Sequence, residues 1–182
     1  NGAAALGGLS LVTGIAVLRA LRGYGIEEAG LKWPNDILVR DAKLAGVLID
    51  VVGEANGPCA VIVGIGVNVC MPRGEASAID QLWTDLYHLT GDNRLSRNVL
   101  AARVLDELMP VIEGFDAAGL QPFLDEWRRY DVLSGREVDL TLPNEYIAGT
   151  ARGIDDGGAL LVDTVHGCRR FVSGDVSVRV AS

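Results

Sequence analysis

A chain of 182 residues makes one domain of ordinary size, or a medium one and a small one, and a hydrophobic content of 49% supports a packed core and excludes a disordered chain. The net charge of −8 and pI near 4.7 argue against a nucleic-acid groove, which needs a basic stripe, but a few cations can still dominate one cleft for a small anion. Cys59, Cys70 and Cys168 are scattered, and with only His88 and His166 beside them they form neither a C-x-x-C pair nor a zinc site, so no metal centre is expected and a reducing cytoplasm fits better than a disulfide scaffold. No apolar run reaches membrane-spanning length and no basic segment precedes an apolar one at the start, so neither a membrane span nor a signal peptide is expected.

In chain order, the first predicted element is a helix from Ser10 to Arg22, where Leu11, Ile15, Leu18 and Leu21 recur at helical spacing and Gly23 and Gly25 end it. Leu31-Lys32-Trp33 is a short extended piece. Pro34 keeps Trp33 extended, and Pro-Asn-Asp is turn chemistry. Strands follow at 37–39, 43–52 and 60–69, joined by short links, which predicts an antiparallel meander. Residues 71–78 read as a loop and 79–89 as a short helix carrying Trp83. Ser96 is a candidate N-cap for a long helix to about Phe115, with Leu100, Val104, Leu105, Leu108 and Ile112 as its buried stripe and Pro110 inside it. A further amphipathic helix spans 120–130.

From about Ser134 glycine and β-branched residues dominate. Short strands are predicted at 137–142, 146–154, 159–163, 169–172 and 176–180, with Asp155-Asp156-Gly157-Gly158 as a hairpin turn. Five short strands in under fifty residues predict a small barrel. The expected organisation is thus an α+β domain over 1–133, with a mixed or antiparallel sheet and packed helices, then a small β-barrel domain over 134–182.

The chain has fourteen arginines but only two lysines, Lys32 and Lys43, eleven positions apart around one turn. A general bias towards arginine accounts for the surface. Lysine retained against it suggests a need for a compact ammonium rather than a planar fork. Lys32 followed by a proline-locked turn is a cation held in place, suited to a carboxylate that is becoming an acyl phosphate. On spacing alone, however, an exposed lysine on an edge strand is the better reading. Gly64 and Gly66, likewise, read either as a bulge in a buried strand or as a backbone surface on which a ligand can lie.

Lys32-Trp33-Pro34-Asn35-Asp36 resembles the signature of biotin protein ligases. Lys43-Leu-Ala-Gly-Val-Leu48 and Gly64-Ile-Gly-Val-Asn-Val69 follow in the family's order and spacing, and Gly149 to Leu161 resembles the family's small C-terminal barrel. The resemblance covers essentially the whole chain. It implies a class II synthetase-like body with an SH3-like barrel, and a two-step reaction: biotin and MgATP give biotinyl-5′-adenylate, and a lysine of a biotin carboxyl carrier protein then takes the biotin. It assigns Lys32 to the biotin carboxylate and adenylate phosphate, and sets Trp33, Asn35 and Asp36 around it. Gly64 and Gly66 border the biotin pocket, Asn68 lies near the nucleotide, and Trp83, after the 71–80 loop, stacks on adenine. Lys43 faces the phosphates or solvent. His88 and the acidic pairs at 27–28 and 155–156 are expected to be structural or surface residues, and exposed strand edges permit a homodimer.

The family also has, upstream of the region matched here, a Gly-Arg-rich loop that helps bind biotin and phosphate and, further upstream, a Ser/Thr-Thr-Asn segment, and neither occurs here. The expectation is therefore a piece of a longer ligase, weakly active alone and without a DNA-binding part. Two rivals remain open: a lipoate-ligase-like acyl-adenylate enzyme, which the signature disfavours, and a non-catalytic binding or dimerisation module.

Overall fold

A computed structural model describes residues 6–53, 59–72, 81–91, 96–173 and 176–181. The first helix, α1 (Leu9–Gly23), is buried on nearly all sides, from Leu11 and Val12 through Ile15 to Leu21. An all-round apolar helix belongs in the middle of a core, and α1 packs against the long helix and the first sheet. Tyr24 and Gly25 close it by donating to Ala20 and Arg22 carbonyls, with Gly25 at φ 94°.

Next comes a four-stranded antiparallel meander, β1 (Gly30–Lys32), β2 (Asp36–Val39), β3 (Ala42–Gly53) and β4 (Cys59–Val67), in spatial order 1-2-3-4. The β2–β3 turn holds Arg40 and Asp41 at φ 49° and 67°, the left-handed pair that a tight hairpin needs. Most of the expected 71–78 loop lies outside the described residues.

The helix expected at 79–89 is shorter and begins later. Residues 81–85 form an extended strap beside β3, with an isolated parallel bridge between Lys43 and Trp83. Lys43 donates to the Leu82 carbonyl and Thr84 donates to the Lys43 carbonyl, both at 2.9 Å, and these bonds override local helix propensity. Only then does α2 (Leu86–Thr90) start, capped by the Asp85 side chain. In α3 (Arg97–Ala118) the Ser96 hydroxyl accepts from Val99 N at 3.4 Å, as a cap should. Its buried stripe is Leu100, Val104, Val111 and Phe115, whereas Leu105 is 55% exposed: the stripe is narrower than the apolar sequence. The expected 120–130 helix resolves into a 3-10 turn (Gln121–Phe123), with Pro122 in its first turn, and α4 (Leu124–Arg129).

The C-terminal strands are β5 (Glu137–Leu142), β6 (Glu145–Ile154), β7 (Leu160–Thr164), β8 (Gly167–Phe171) and β9 (Ser177–Val180). They form one antiparallel sheet ordered β8-β7-β6-β5-β9. Val138, Leu140, Ala151, Ile154, Leu160, Val162, Phe171 and Val178 are buried in the core. Among the described residues no ladder joins β8 to β9, so the small β unit is an open sheet rather than a closed barrel.

The two sheets share one hydrophobic core. Leu31 donates to Tyr130 O at 2.7 Å and accepts from Val132 N at 2.9 Å, so β1 pairs with the segment leading into the second sheet. Gly30 is obligatory here, because a Cβ would lie 2.4 Å from Val132 Cγ1. Asp41 and Arg136 add an ion pair at 2.5 Å.

Candidate functional site

A cleft of about 280 Å³ opens where the first sheet meets β9. Its charged walls are Lys32, Asp36, Asp41, Lys43 and Arg179, and Leu38, Leu82 and Val180 add apolar surface. The strand register builds the charged centre. Lys32 ends β1 opposite Asp36, which begins β2, so both side chains project from the same face. Lys32 Nζ is 3.5 Å from Asp36 Oδ2, and Lys43 Nζ, reaching from β3, is 2.5 Å from Asp36 Oδ1. One carboxylate thus collects two ammonium groups. Opposite Asp36 stands Gly46, where a Cβ would be 3.2 Å from Lys43 Cε and 3.4 Å from Asp36 Oδ1, so the missing side chain makes room for the pair.

Burial is the main influence on Lys32 and pushes its pKa below the usual lysine value. Asp36 opposes this, and the like charges of Lys43 and Arg179 add to it. The result is a compact, half-desolvated cluster in which Lys32, Lys43 and Arg179 share one cleft with Asp36 and Asp41. Such a cluster attracts an anionic ligand and stabilises charge that develops on it.

The row Lys32–Asp36–Gly46–Gly66 crosses all four strands in register, and Leu48 pairs with Gly64 in the next row of that face. Between Gly46 and Val52 the β3–β4 ladder is regular, so the two β4 glycines mark no bulge. A Cβ at Gly64 would meet only ordinary contact at 3.4 Å, and at Gly66 the nearest atom is 4.0 Å away. The glycines are therefore not forced by crowding. They leave a bare backbone floor running from the charged cleft.

The other expected residues are placed as follows. Asn35 donates from Nδ2 to Val47 O at 2.8 Å while its carbonyl accepts from Val47 N, and this pins the signature turn to β3. Asn68 Nδ2 donates to Lys43 O and Thr84 O at 3.2 and 3.1 Å, which fastens the Trp83 strap beside Lys43. Trp83 is half-buried on that strap, edge-on to His88. Trp33, expected among the site residues around Lys32, points instead into the junction: it is 1% exposed and donates to Gly158 O at 3.0 Å. The structure thus brings Lys32, Asp36, Lys43, Gly64 and Gly66 to one sheet face, and uses Trp33, Asn35 and Asn68 as fastenings around it.

Sequence reasoning missed three residues. Gly46 reads as an ordinary strand glycine. Arg179 is one polar position in the alternation of Val178-Arg179-Val180, and nothing local shows that β9 delivers it to Lys32. Asp85 reads as a turn residue, but it is fully buried and accepts from Met71 N, His88 N and His88 Nδ1 at 2.8, 2.7 and 2.6 Å. Burial pushes its pKa up, and these hydrogen bonds outweigh that, holding it below the usual carboxylate value. Among the described residues, no group of three or more His, Cys, Asp or Glu could hold a metal ion.

An α+β body with a cationic sheet-face cleft and a small β sheet seated beside it defines an architecture found in known enzymes. Residues 3–68 match the Biotin/lipoate A/B protein ligase family, and residues 133–179 match the Biotin protein ligase C terminal domain. The apo structure of biotin protein ligase from Aquifex aeolicus superposes with a TM-score of 0.82 at 30% identity, over 97% of this chain and 76% of that one. The structure of the Aquifex aeolicus ligase in complex with biotin and ATP gives a TM-score of 0.83 at 29% identity, over 97% and 72%. The biotin–[acetyl-CoA-carboxylase] ligase of Paracoccus denitrificans is 32% identical over 89% of this chain and 69% of its own length. The bifunctional ligase/repressor BirA of Escherichia coli is 39% identical over all of this chain and 56% of its own length. The chain belongs to the biotin protein ligase family. It spans little more than half the length of the Escherichia coli relative.

Proposed function

We propose that the protein containing this chain is an ATP-dependent biotin–protein ligase, with the Lys32 cleft as the place where the acyl adenylate forms. The observation that carries this reading is the pairing of Lys32 and Lys43 with Asp36, with Arg179 on the same cleft, at the end of a glycine-floored sheet face. In the first step a biotin carboxylate oxygen attacks the α-phosphorus of ATP, the bond to the β-phosphate oxygen breaks, and pyrophosphate leaves. In the second, the ε-amine of a carrier lysine attacks the acyl carbon, AMP leaves with the electron pair of the anhydride bond, and the amine proton passes to solvent. Both steps build negative charge where the carboxylate meets the α-phosphate. A cation already in place stabilises that charge more in the transition state than in the ground state.

In this reading Lys32 contacts carboxylate and phosphate, Asp36 orients Lys32 and Lys43, and Arg179 supplies a third cation. Gly64 and Gly66 floor the biotin pocket, while Asn35 and Asn68 hold the frame. Trp83 flanks adenine. Mg²⁺ arrives bound to the ATP phosphates. The carrier partner is a biotin carboxyl carrier protein. The division at 133/134 belongs to the same proposal, supported by the two separate sheets and the two family matches. A cytoplasmic protein fits, and among the described residues no helix is long and apolar enough to cross a membrane. A homodimer through β4 is supported by its place at the sheet edge, with Ile62 56% exposed.

The test is biotin-dependent exchange of pyrophosphate into ATP, and biotin transfer to a carrier domain, by this chain and by a form lengthened upstream. Exchange that requires biotin and is not supported by lipoate is the expected result. Exchange with lipoate but not biotin would overturn the substrate assignment, and full activity of the short chain would overturn the expectation that upstream arginines complete the site.

A further inference from the structure

The signature tryptophan is left over once the cleft is assigned. Trp33 is 1% exposed and reaches across 125 positions of sequence to donate from Nε1 to the Gly158 carbonyl in the β6–β7 turn. The acceptor is held rigidly. Asp155 Oδ1 accepts from both Gly157 N and Ala159 N at 2.9 Å, and Gly158 sits at φ 80°. A side chain at 158 would lie 2.8 Å from Leu11 Cδ1 and 2.9 Å from Leu120 Cδ2, so the turn is pressed onto α1 and the segment after α3. On the other side of Lys32, Leu31 exchanges both backbone hydrogen bonds with Tyr130 and Val132. Lys32 therefore lies between a fastening to the segment that leads into the C-terminal unit and a fastening to that unit itself, which also brings Arg179 to the far wall of the cleft.

We propose that Trp33 is a positioning residue: its bond to Gly158 fixes how the five-stranded sheet seats on β1, and so sets the separation of Lys32 and Arg179 across the cleft. A buried indole N–H that loses its acceptor is costly, so other seatings are disfavoured and the two cations keep one spacing. The proposal deepens the reading of the cleft as an anion site and rests on that reading only for its catalytic consequence.

Two measurements separate the two claims. The chain has only two lysines, so the methylene groups beside both ammoniums can be followed by NMR through a pH titration without any ligand. Trp33→Phe keeps the ring and removes the donor, whereas Gly158→Ala keeps the donor and disturbs the seat. Both variants should move the Lys32 titration up towards the ordinary lysine range, and Arg179→Ala should move it the same way. An unmoved Lys32 titration in both Trp33→Phe and Gly158→Ala overturns the proposal.

The second measurement is adenylate formation. Trp33→Phe should raise the KM for ATP about ten-fold with a smaller change in kcat, and in the Arg179→Ala background the same change should have less than about a two-fold effect. Fully additive losses mean that Trp33 acts through general stability alone and overturn the positioning role. If the unmodified protein forms no adenylate while the Lys32 titration shifts as described, the proposed activity fails and the positioning stands.

Discussion

The two ends of the first sheet are built from the same kind of sequence and meet opposite fates. At the end near the junction, Leu31, Ile37, Leu38, Val39, Leu44 and Ala45 are buried. At the far end Leu48, Val52 and Ile62 are 69%, 56% and 56% exposed, although β3 and β4 are as apolar there as elsewhere. Local composition does not decide the difference. The near end is covered by α1 and by the Tyr130–Val132 segment, and the second sheet meets it at the cleft and at Trp33; the last two partners are distant in sequence. The charged cleft sits at the covered end, where burial strengthens electrostatics, and its glycine floor leads towards the bare end. Rigid positioning of charge and open access for a ligand are thus divided between two ends of one sheet.

The sharpest way to break this comparison is truncation at each end. Ile37→Ala, at a residue with no exposure, should cost about 2–5 kcal/mol in denaturant unfolding, while Ile62→Ala should cost about 1 kcal/mol or less. Equal losses would show that the far end is covered in solution.

Asp131 tests the covered end through pH. It bridges Leu31, its Oδ1 accepts from Leu133 N at 2.9 Å, and its Oδ2 is buried without a partner among the described residues. Burial is the largest influence and raises its pKa from 3.8 to about 6, against the hydrogen bonds from Leu133 and Ser134. The folded state therefore binds this proton more tightly than the unfolded state does. Its stabilising contribution is complete below about pH 4 and is lost as pH rises through about 6. Relative to Asp131→Asn, the unmodified protein should lose about 2–3 kcal/mol of stability between pH 4 and pH 7. Parallel pH–stability curves would contradict this.

Arg179→Ala should raise the KM for ATP about ten-fold, equivalent to roughly 1.4 kcal/mol, by removing the cation that the second sheet contributes. An unchanged KM would confine the site to the first sheet. The smallest effect is expected from Gly46→Ala. Its Cβ would press on Lys43 and Asp36 at 3.2–3.4 Å, and the lysine can swing aside, so adenylate formation should fall by only a few-fold, roughly 1 kcal/mol or less.

Much of the fold was legible in the sequence because periodicity is local. The spacing of Leu11, Ile15 and Leu18 marks α1, the turn at 40–41 separates β2 from β3, and the Asp155 to Gly158 turn joins β6 to β7. The signature block located Lys32 and Asp36, and the register then joined them to Gly64 and Gly66 on one face. What escaped was decided by distant partners. The strap around Trp83 is extended because Lys43 and Asn68 bind its backbone. Trp33 turns away from Lys32 because its acceptor lies 125 residues later. Arg179 carries no local mark at all, since only the seating of the second sheet delivers it.

The central claim is that the Lys32 cluster stabilises the charge of acyl-adenylate formation. It is tested most directly by biotin-dependent pyrophosphate exchange into ATP, comparing the unmodified protein with Lys32→Ala in the upstream-lengthened form and checking that both unfold at similar denaturant concentrations. The account predicts a loss of about 10²–10³-fold in kcat/KM with the fold intact. A rate within about two-fold of the unmodified protein would contradict it and take Lys32 out of the chemistry.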